Sequence, residues 1–268
     1  MEDLIMTSAT TSLRPGDPAF GFKVSQTEQY LRRVFGDESL HIALAFSGGK
    51  DSIVLLDLCR PYREKMTVVW VDTGFAFPHI REHILAATRG FRFCVIKHDV
   101  VARWFKEGLP TELLPIDHWN GASTKPKSPR LQSWKSCCWQ RIAGNADLLV
   151  AKGFNCLLTG QRKGDGHTAA KFQQVGRLFI PAPLWDWGDI HIQEYLKFRD
   201  LKLADHADKA SSSMECWICP AALTKNRINF IKAFYPDNWL QVQELRETIL
   251  EPVKNLLGEN QAEHETHR

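Results

Sequence analysis

Apolar positions along the chain fall into short continuous runs, set between longer stretches in which they recur at helical spacing. His41-Ile42-Ala43-Leu44-Ala45-Phe46 is the first such run and reads as a buried strand. It leads straight into Ser47-Gly48-Gly49-Lys50-Asp51-Ser52, after which Ile53 to Leu58 continues as an apolar helix. Further strands are predicted at Thr67–Val71, ending at Asp72, at Phe91–Ile96, and at Asn155–Leu158, ending at Thr159-Gly160. Helical spacing covers Gln26–Val34, His79–Thr88, Val100–Lys106, Cys138–Ala151, Lys225–Ala233 and Leu240–Leu257. Buried strands alternating with helices predict an α/β fold, a doubly wound and mainly parallel sheet with a helical C-terminal extension.

The pattern also suggests boundaries. Residues 1–24 carry Ser, Thr, Pro and Gly without periodicity and read as a flexible arm. Residues 25–203 form the expected nucleotide-binding domain, 204–258 a Cys-x-x-Cys segment with C-terminal helices packed on it, and 259–268 a polar, disordered tail. Residues 108–136, rich in Pro, Ser and Lys, are too long for an ordinary connection, which points to function or mobility.

Composition narrows the classes little. The 268 residues are 44% hydrophobic with a net charge of +3, so any basic surface is local. Met1-Glu2-Asp3-Leu4 lacks the basic start of a secretion signal, and no apolar run approaches the roughly 18 residues of a membrane span. Seven cysteines, an odd number unevenly spaced, favour metal binding or burial over a disulfide framework. A soluble, cytoplasmic protein is expected, with no membrane partner.

The segment after the first strand carries the chemistry. Ligands of open parallel sheets bind at the carboxyl ends of strands, where this loop is expected. Gly48 and Gly49 let backbone N–H groups approach an anion, and the following helix points its positive end there. Lys50 adds a full charge, Ser47 and Ser52 add hydroxyls, and Asp51 makes sense if Mg2+ accompanies phosphates. The spacing is not that of the P-loop. The segment resembles the PP-loop of the ATP pyrophosphatase superfamily, Ser-Gly-Gly-x-Asp-Ser. That resemblance implies an adenine nucleotide alpha hydrolase-like fold and cleavage of ATP between its α- and β-phosphates, with the loop holding the departing pyrophosphate.

Three further segments resemble the PAPS reductase family. Val71-Asp72-Thr73-Gly74-Phe75-Ala76-Phe77-Pro78 matches its Asp-Thr-Gly-x-x-Phe-Pro segment, and Gly160-Gln161-Arg162-Lys163-Gly164-Asp165 its Gly-x-Arg-x-x-Asp/Glu loop. Pro183-Leu184-Trp185-Asp186-Trp187-Gly188-Asp189-Ile190 is similar to a Pro-Leu-x-x-Trp element, with altered spacing. Asp72 and Thr73 are thus candidates for binding ribose or magnesium, Gly160 for the nucleotide site and Arg162 for a phosphate. The catalytic candidates are Lys50, Asp51 and Arg162. Trp185 and Trp187 read as packing residues.

Cys137-Cys138 and Cys216-Trp217-Ile218-Cys219 form two close pairs, a metal-site pattern. Adjacent cysteines suit a cubane better than a tetrahedral zinc, though zinc and unmetallated thiols stay open. The arrangement resembles iron–sulfur members of the PAPS reductase family, implying a [4Fe–4S] cluster on these four. Cys59, Cys94 and Cys156 lie in apolar stretches and read as core.

Sulfonucleotide reductases use a cysteine near their C-terminus, and no cysteine follows Cys219 in this sequence. Their phosphate loop is also usually degenerate, whereas this one is intact. The combination looks more like the ATP pyrophosphatase subunit of DNA phosphorothioation systems. It implies adenylation of a backbone phosphate oxygen and displacement of AMP by sulfur from a cysteine desulfurase, alongside other modification-complex subunits. Thiolation of tRNA, APS/PAPS reduction and a non-catalytic ATP- and cluster-binding scaffold are the alternatives. For a nucleic-acid surface, the stretch His118–Ala146 has no acidic residue. It carries Lys125, Lys127, Arg130, Lys135 and Arg141 with Trp119, Trp134 and Trp139 between them.

Overall fold

The computed structural model describes residues 18–111, 131–165, 170–205, 216–245 and 247, with the side chains of 111 and 131–136 left aside. In chain order the elements are α1 (Pro18–Gly36), β1 (Ile42–Ala45), α2 (Lys50–Leu58), β2 (Met66–Asp72), α3 (Pro78–Ala87), β3 (Arg92–Lys97), α4 (Val100–Glu107), β4 (Leu109–Thr111), β5 (Leu131–Ser133), α5 (Trp134–Ala143), α6 (Ala146–Ala151), β6 (Cys156–Leu158), β7 (Phe172–Val175), β8 (Leu178–Pro181), α7 (Asp189–Phe198) and α8 (Lys225–Phe234). A further helix covers 236–245. Six strands make one sheet in the order β3-β2-β1-β6-β8-β7. Pairs β1–β2, β1–β6 and β6–β8 are parallel, and only the edge pair β7–β8 is antiparallel among the pairings described. This is the mainly parallel α/β sheet with flanking helices that the alternation predicts. The chain divides into two compact units: Met1–Val69 with Thr88–Cys94 and Ala146–Leu203, and Trp70–Ala87 with Val95–Asn145 and Ala204–Arg268.

In the first unit, β1 and β6 are apolar and buried, as strands covered on both faces must be. In α2 every residue from Ser52 to Leu58 is buried, so this helix is an interior element. Its one buried acid, Asp57, accepts from Tyr195 Oη at 3.0 Å and Arg199 Nε at 2.9 Å, fastening α2 to α7. The first helix starts at Pro18 instead of Gln26, so residues 18–24 are helix and not loose arm. Its upstream turns are held by Phe20, packed edge-on against Trp187 and Phe198 at 6.5 and 6.4 Å. Thr27, two turns further in, accepts from Trp187 Nε1 at 2.9 Å. The β7–β8 hairpin, turning at Gly176 with φ 58°, was not expected from the sequence.

The helix expected over Cys138–Ala151 is interrupted where the chain passes from the second unit to the first. It ends at Ala143 and α6 begins at Ala146. A Cβ on Gly144 meets Gln140 O at 2.6 Å as well as the Arg103 guanidinium. Asn145 Nδ2 donates to Arg141 O at 2.7 Å and closes the helix end. The helix expected over Leu240–Leu257 is described only as far as residue 247. A small parallel pair, β4 with β5, adds to the second unit. Asp99 caps α4 by accepting from Ala102 N at 2.9 Å, and Thr224 caps α8 through Arg227 N at 3.3 Å. Among the described residues no helix is long and apolar enough to cross a membrane.

His98, just past β3, is buried with Nδ1 3.1 Å from Asn145 Nδ2. Burial first, then the charges of Arg103 and Arg141, push its pKa down to about 4, against the pull of Glu107 and Asp99. The unfolded chain therefore takes up this proton first. Stability is full above the unfolded value near 6.5 and falls as pH drops toward 4. In urea unfolding, His98→Gln is expected to lose about 2 kcal/mol less than the parent between pH 7 and pH 5. An identical pH slope in both would contradict this.

Candidate active site

Every feature of the phosphate loop lies in the first unit. Leaving β1, the chain turns at Gly48 with φ 75°, a conformation that only glycine adopts without strain. The loop is laced by its two serines. Ser52 Oγ donates to Gly49 O at 2.9 Å, lies 3.3 Å from Ser47 Oγ and accepts from Ser47 N at 3.4 Å. Ser47 Oγ in turn accepts from Gly49 N at 3.3 Å. Gly49 then caps α2 with extended backbone and no side-chain bond, so the helix's first N–H groups open into the loop.

Around this turn stand two cations and three carboxylates. Lys50 Nζ is 3.1 Å from Asp51 Oδ2 and 3.2 Å from Asp189 Oδ1. Arg162 Nε is 2.9 Å from Asp51 Oδ1, and its Nη2 is 3.2 Å from Asp189 Oδ1 and 3.4 Å from Asp165 Oδ1. Arg162 N also donates to Asp165 Oδ2 at 2.7 Å, fixing the bend after β6. The Arg162 side chain is only 8% exposed, and its Nε has no aligned acceptor despite the nearby carboxylate. Such a donor is set to bind an anion placed slightly differently from Asp51.

The two bridging acids differ. Burial pushes the Asp51 carboxyl above its ordinary value, and Asp165 adds to this, against Lys50 and Arg162. Asp189 is held below its ordinary value, chiefly by the hydrogen bond from Lys50 and then by Arg162. Its side chain is 74% exposed. The structure brings the sequence candidates Lys50, Asp51 and Arg162 together at the loop, along with Asp189 and Asp165, which the sequence reading did not single out. Both stand inside the quoted motifs. The usable hint for Asp189 was its position at the first turn of a helix, directly after Gly188.

In the second unit, Asp72 ends β2 with its side chain fully buried. Gly74 N donates to Oδ1 at 2.8 Å, Arg81 Nη1 is 3.2 Å from Oδ2, and Lys97 Nζ also reaches Oδ2. Burial raises its pKa, but Lys97, the Gly74 amide and Arg81 together hold it below the ordinary value. Thr73, buried beside it, accepts from Phe75 N at 3.3 Å.

The cysteine pairs belong to this second unit as well. Cys137 Sγ accepts from Trp104 Nε1 at 3.3 Å. Burial pushes the Cys216 thiol up, and Cys219, Cys138 and Cys137 push it further while Arg141 opposes them. Arg227 Nη2 donates to Cys216 O at 3.0 Å, and Trp217 N to Phe75 O at 2.9 Å. Among the described residues no group of three or more His, Cys, Asp or Glu is arranged as a ready metal cage. Cys59 and Cys156 are core, as expected, whereas Cys94 is half-buried. Lys125, Lys127 and Arg130 lie outside the described residues, as does the Lys135 side chain.

Gly160 makes the Arg162 contact possible. A Cβ there lies 3.1 Å from both Asp51 C and Ser52 N, so the chain leaving β6 rests on the loop's own backbone. Gly160→Ala is expected to cost about 1–3 kcal/mol by overpacking. Gly164→Ala, with nothing within 4 Å, is the control expected to leave thermal unfolding unchanged. Equal melting temperatures for both variants would refute the close approach.

Two uncharacterized proteins of Methanocaldococcus jannaschii are similar to this chain. One is 24% identical over 216 residues, covering 75% of this chain and 47% of its own length. The other is 23% identical over 237 residues, covering 86% and 46%. The chain therefore spans about half the length of these relatives. Among solved structures, the phosphoadenylyl-sulfate (PAPS) reductase of Candida auris overlays at TM-score 0.49 and 14% identity, over 77% of this chain and 98% of that one. The NH3-dependent NAD synthetase of Campylobacter jejuni overlays at 0.46 and 15%, over 87% of each chain. Residues 41–222, more than half of the chain, match the profile of the phosphoadenosine phosphosulfate reductase domain, and the chain belongs to that family.

Proposed function

We propose that the chain is an ATP pyrophosphatase that adenylates a substrate oxygen for sulfur insertion, with a DNA backbone phosphate as the acceptor. The observation that carries the reading is the network of Lys50 and Arg162 with Asp51 and Asp189 at an intact phosphate loop. Two cations face three carboxylates, so the site already carries a negative surplus. A free polyphosphate fits that poorly, but a magnesium nucleotide fits it well. Mg2+ is held by one or two carboxylates plus phosphate oxygens, and Asp51 is the least exposed of the three available. The loop amides, Lys50 and Arg162 would receive the β- and γ-phosphates, with Asp189 giving way.

The substrate oxygen attacks the α-phosphorus, the bond to the α,β-bridging oxygen breaks, and pyrophosphate leaves. Lys50 and Arg162 stabilise the charge that develops on it. A sulfide-level nucleophile, supplied by a cysteine desulfurase with a thiol reductant, then displaces AMP from the activated phosphate. What supports sulfur chemistry is the set Cys137, Cys138, Cys216 and Cys219. What speaks for a [4Fe–4S] cluster is donor chemistry: four cysteine sulfurs in one unit, an indole N–H on the Cys137 sulfur, and Arg141 and Arg227 to offset thiolate charge. When bound, such a cluster supplies electron-transfer and sulfide chemistry. Trp104 would hold the Cys137 sulfur in place. The acceptor is read as DNA, before tRNA, because the intact loop accompanies Cys216-Trp217-Ile218-Cys219. Further subunits of a modification complex complete this reading.

Incubated with MgATP, the protein is expected to form AMP and pyrophosphate, and Lys50→Ala or Arg162→Ala to lower the rate about 10²–10³-fold. ADP as product, or steady conversion of PAPS to sulfite, would replace this reading with another nucleotide chemistry. Purified without oxygen, the protein is expected to be brown with about four irons per chain. Cys216→Ser should bleach it and Cys59→Ser should not. One zinc in a colourless protein would rule the cluster out.

A further inference from the structure

A cleft of about 280 Å³ opens in the first unit between α1, the start of β7 and the loop 182–187 that precedes α7. Its α1 wall presents Lys23, Gln26, Gln29 with Tyr30, and Arg33, which recur every three to four residues and so form one ridge. The opposite wall holds Lys171, Phe172 and Trp185. Three cations thus stand beside four aromatic rings, of which Trp187 is buried and bonded to Thr27, against one acid, Asp186. That acid is already engaged by Lys171 at 3.3 Å, and both partners are exposed. Among the described residues neither Lys23 nor Arg33 forms an ion pair. Phe172 stacks on Phe179 with ring centroids 6.2 Å apart, yet the residue remains 53% exposed. None of these residues takes part in the phosphate-loop network.

Rings that can cover a π-face, cations that can meet phosphate and amides that can pair with a base edge are what one nucleotide of a chain requires. A purely acidic peptide would leave the other three rings idle, and an apolar ligand would leave the cations desolvated. We propose that this cleft is a nucleotide subsite separate from the phosphate loop. It takes an aromatic base between Tyr30, Phe172 and Trp185, with flanking phosphates on Lys23, Arg33 and Lys171. The base-and-phosphate chemistry is shared by a polynucleotide strand and a free nucleotide. The wall of the cleft runs on from Trp187 through Gly188 to Asp189, the residue paired with Lys50. The inference stands on the cleft's own side chains and survives if ATP is not cleaved.

The test measures anisotropy of a short fluorescein-labelled oligothymidylate with the full chain, and titrates unlabelled dTMP in a second arm. Lys23→Glu with Arg33→Glu should weaken oligonucleotide binding at least about tenfold and reduce the log–log salt slope by roughly 1.4, the loss of two single-strand phosphate contacts. Trp185→Ala should weaken it about tenfold with the slope unchanged, since stacking releases no counterions. Lys152→Glu with Lys202→Glu, exposed elsewhere on the same unit, controls for net charge and should do much less. Binding of dTMP that is lost in the cleft variants, without oligonucleotide binding, supports the subsite and identifies a free nucleotide as its ligand. If the cleft and control variants bind the oligonucleotide with the same affinity and slope, and dTMP binding is absent or unaffected, the proposal fails.

Discussion

The backbone of Gly160 lies against the backbone of Asp51 and Ser52, and the geometry of the first unit's charged site follows from that approach. β1 and β6 are parallel neighbours, with Ala43 opposite Leu157 and Leu44 opposite Leu158, so both strands deliver their next residues to the same edge. A side chain at 160 would hold the two exits apart. Without one, Arg162 enters the loop's own space and becomes nearly fully buried beside Asp51. Burying a guanidinium is tolerable only when anions meet it, and Asp51, Asp165 and Asp189 all do. The anions in turn fix where Lys50 points. A single missing Cβ therefore decides the placement of two cations.

That part of the molecule was legible in the sequence because each step is local. A buried four-residue strand, a glycine turn and an apolar helix leave one arrangement open to Ser47–Ser52. The remainder depends on distant partners. α1 extends back to Pro18 because Phe20 finds Trp187 and Phe198, residues nearly the whole domain away in sequence. The break before α6 depends on Arg103 and Gln140 crowding Gly144. The β7–β8 hairpin carries Phe172 and Val175 around glutamines and shows no clear alternation, so its pattern announced nothing. Asp189 escaped notice for a similar reason: a lone exposed aspartate at a helix start is ordinary until Lys50 and Arg162 stand beside it.

The second unit gathers its polar groups on a different principle. Asp72 is buried yet held below its ordinary pKa, because two cations and an amide converge on it. The thiols of Cys137, Cys216 and Cys219 are raised by burial, and each is also opposed by a positive charge, Arg141 or Arg227. Arg227 itself is disfavoured by its own burial, and Cys219 and Cys216 supply the compensating pull. In the proposed reading, cationic side chains retained at that cost offset the negative charge of metal-bound thiolates.

In the first unit the same logic separates the two acids that share Lys50 and Arg162. Asp51 is buried enough that its carboxylate is disfavoured even between two cations. Asp189 sees the same cations from solvent and is favoured as a carboxylate. A dication arriving with phosphates changes these two in opposite ways. It supplies Asp51 with the charge that its burial lacks, so Asp51 gains. The phosphates claim the cations that Asp189 holds, and Asp189, already three-quarters exposed, returns to water at little cost. Without ligand, Asp189 Oδ1 bridges Lys50 and Arg162 and offsets their positive charges. In the proposed reading the site is preorganised for an anion by a carboxylate that is easily displaced, while Asp51, the less exposed of the two, would hold the metal.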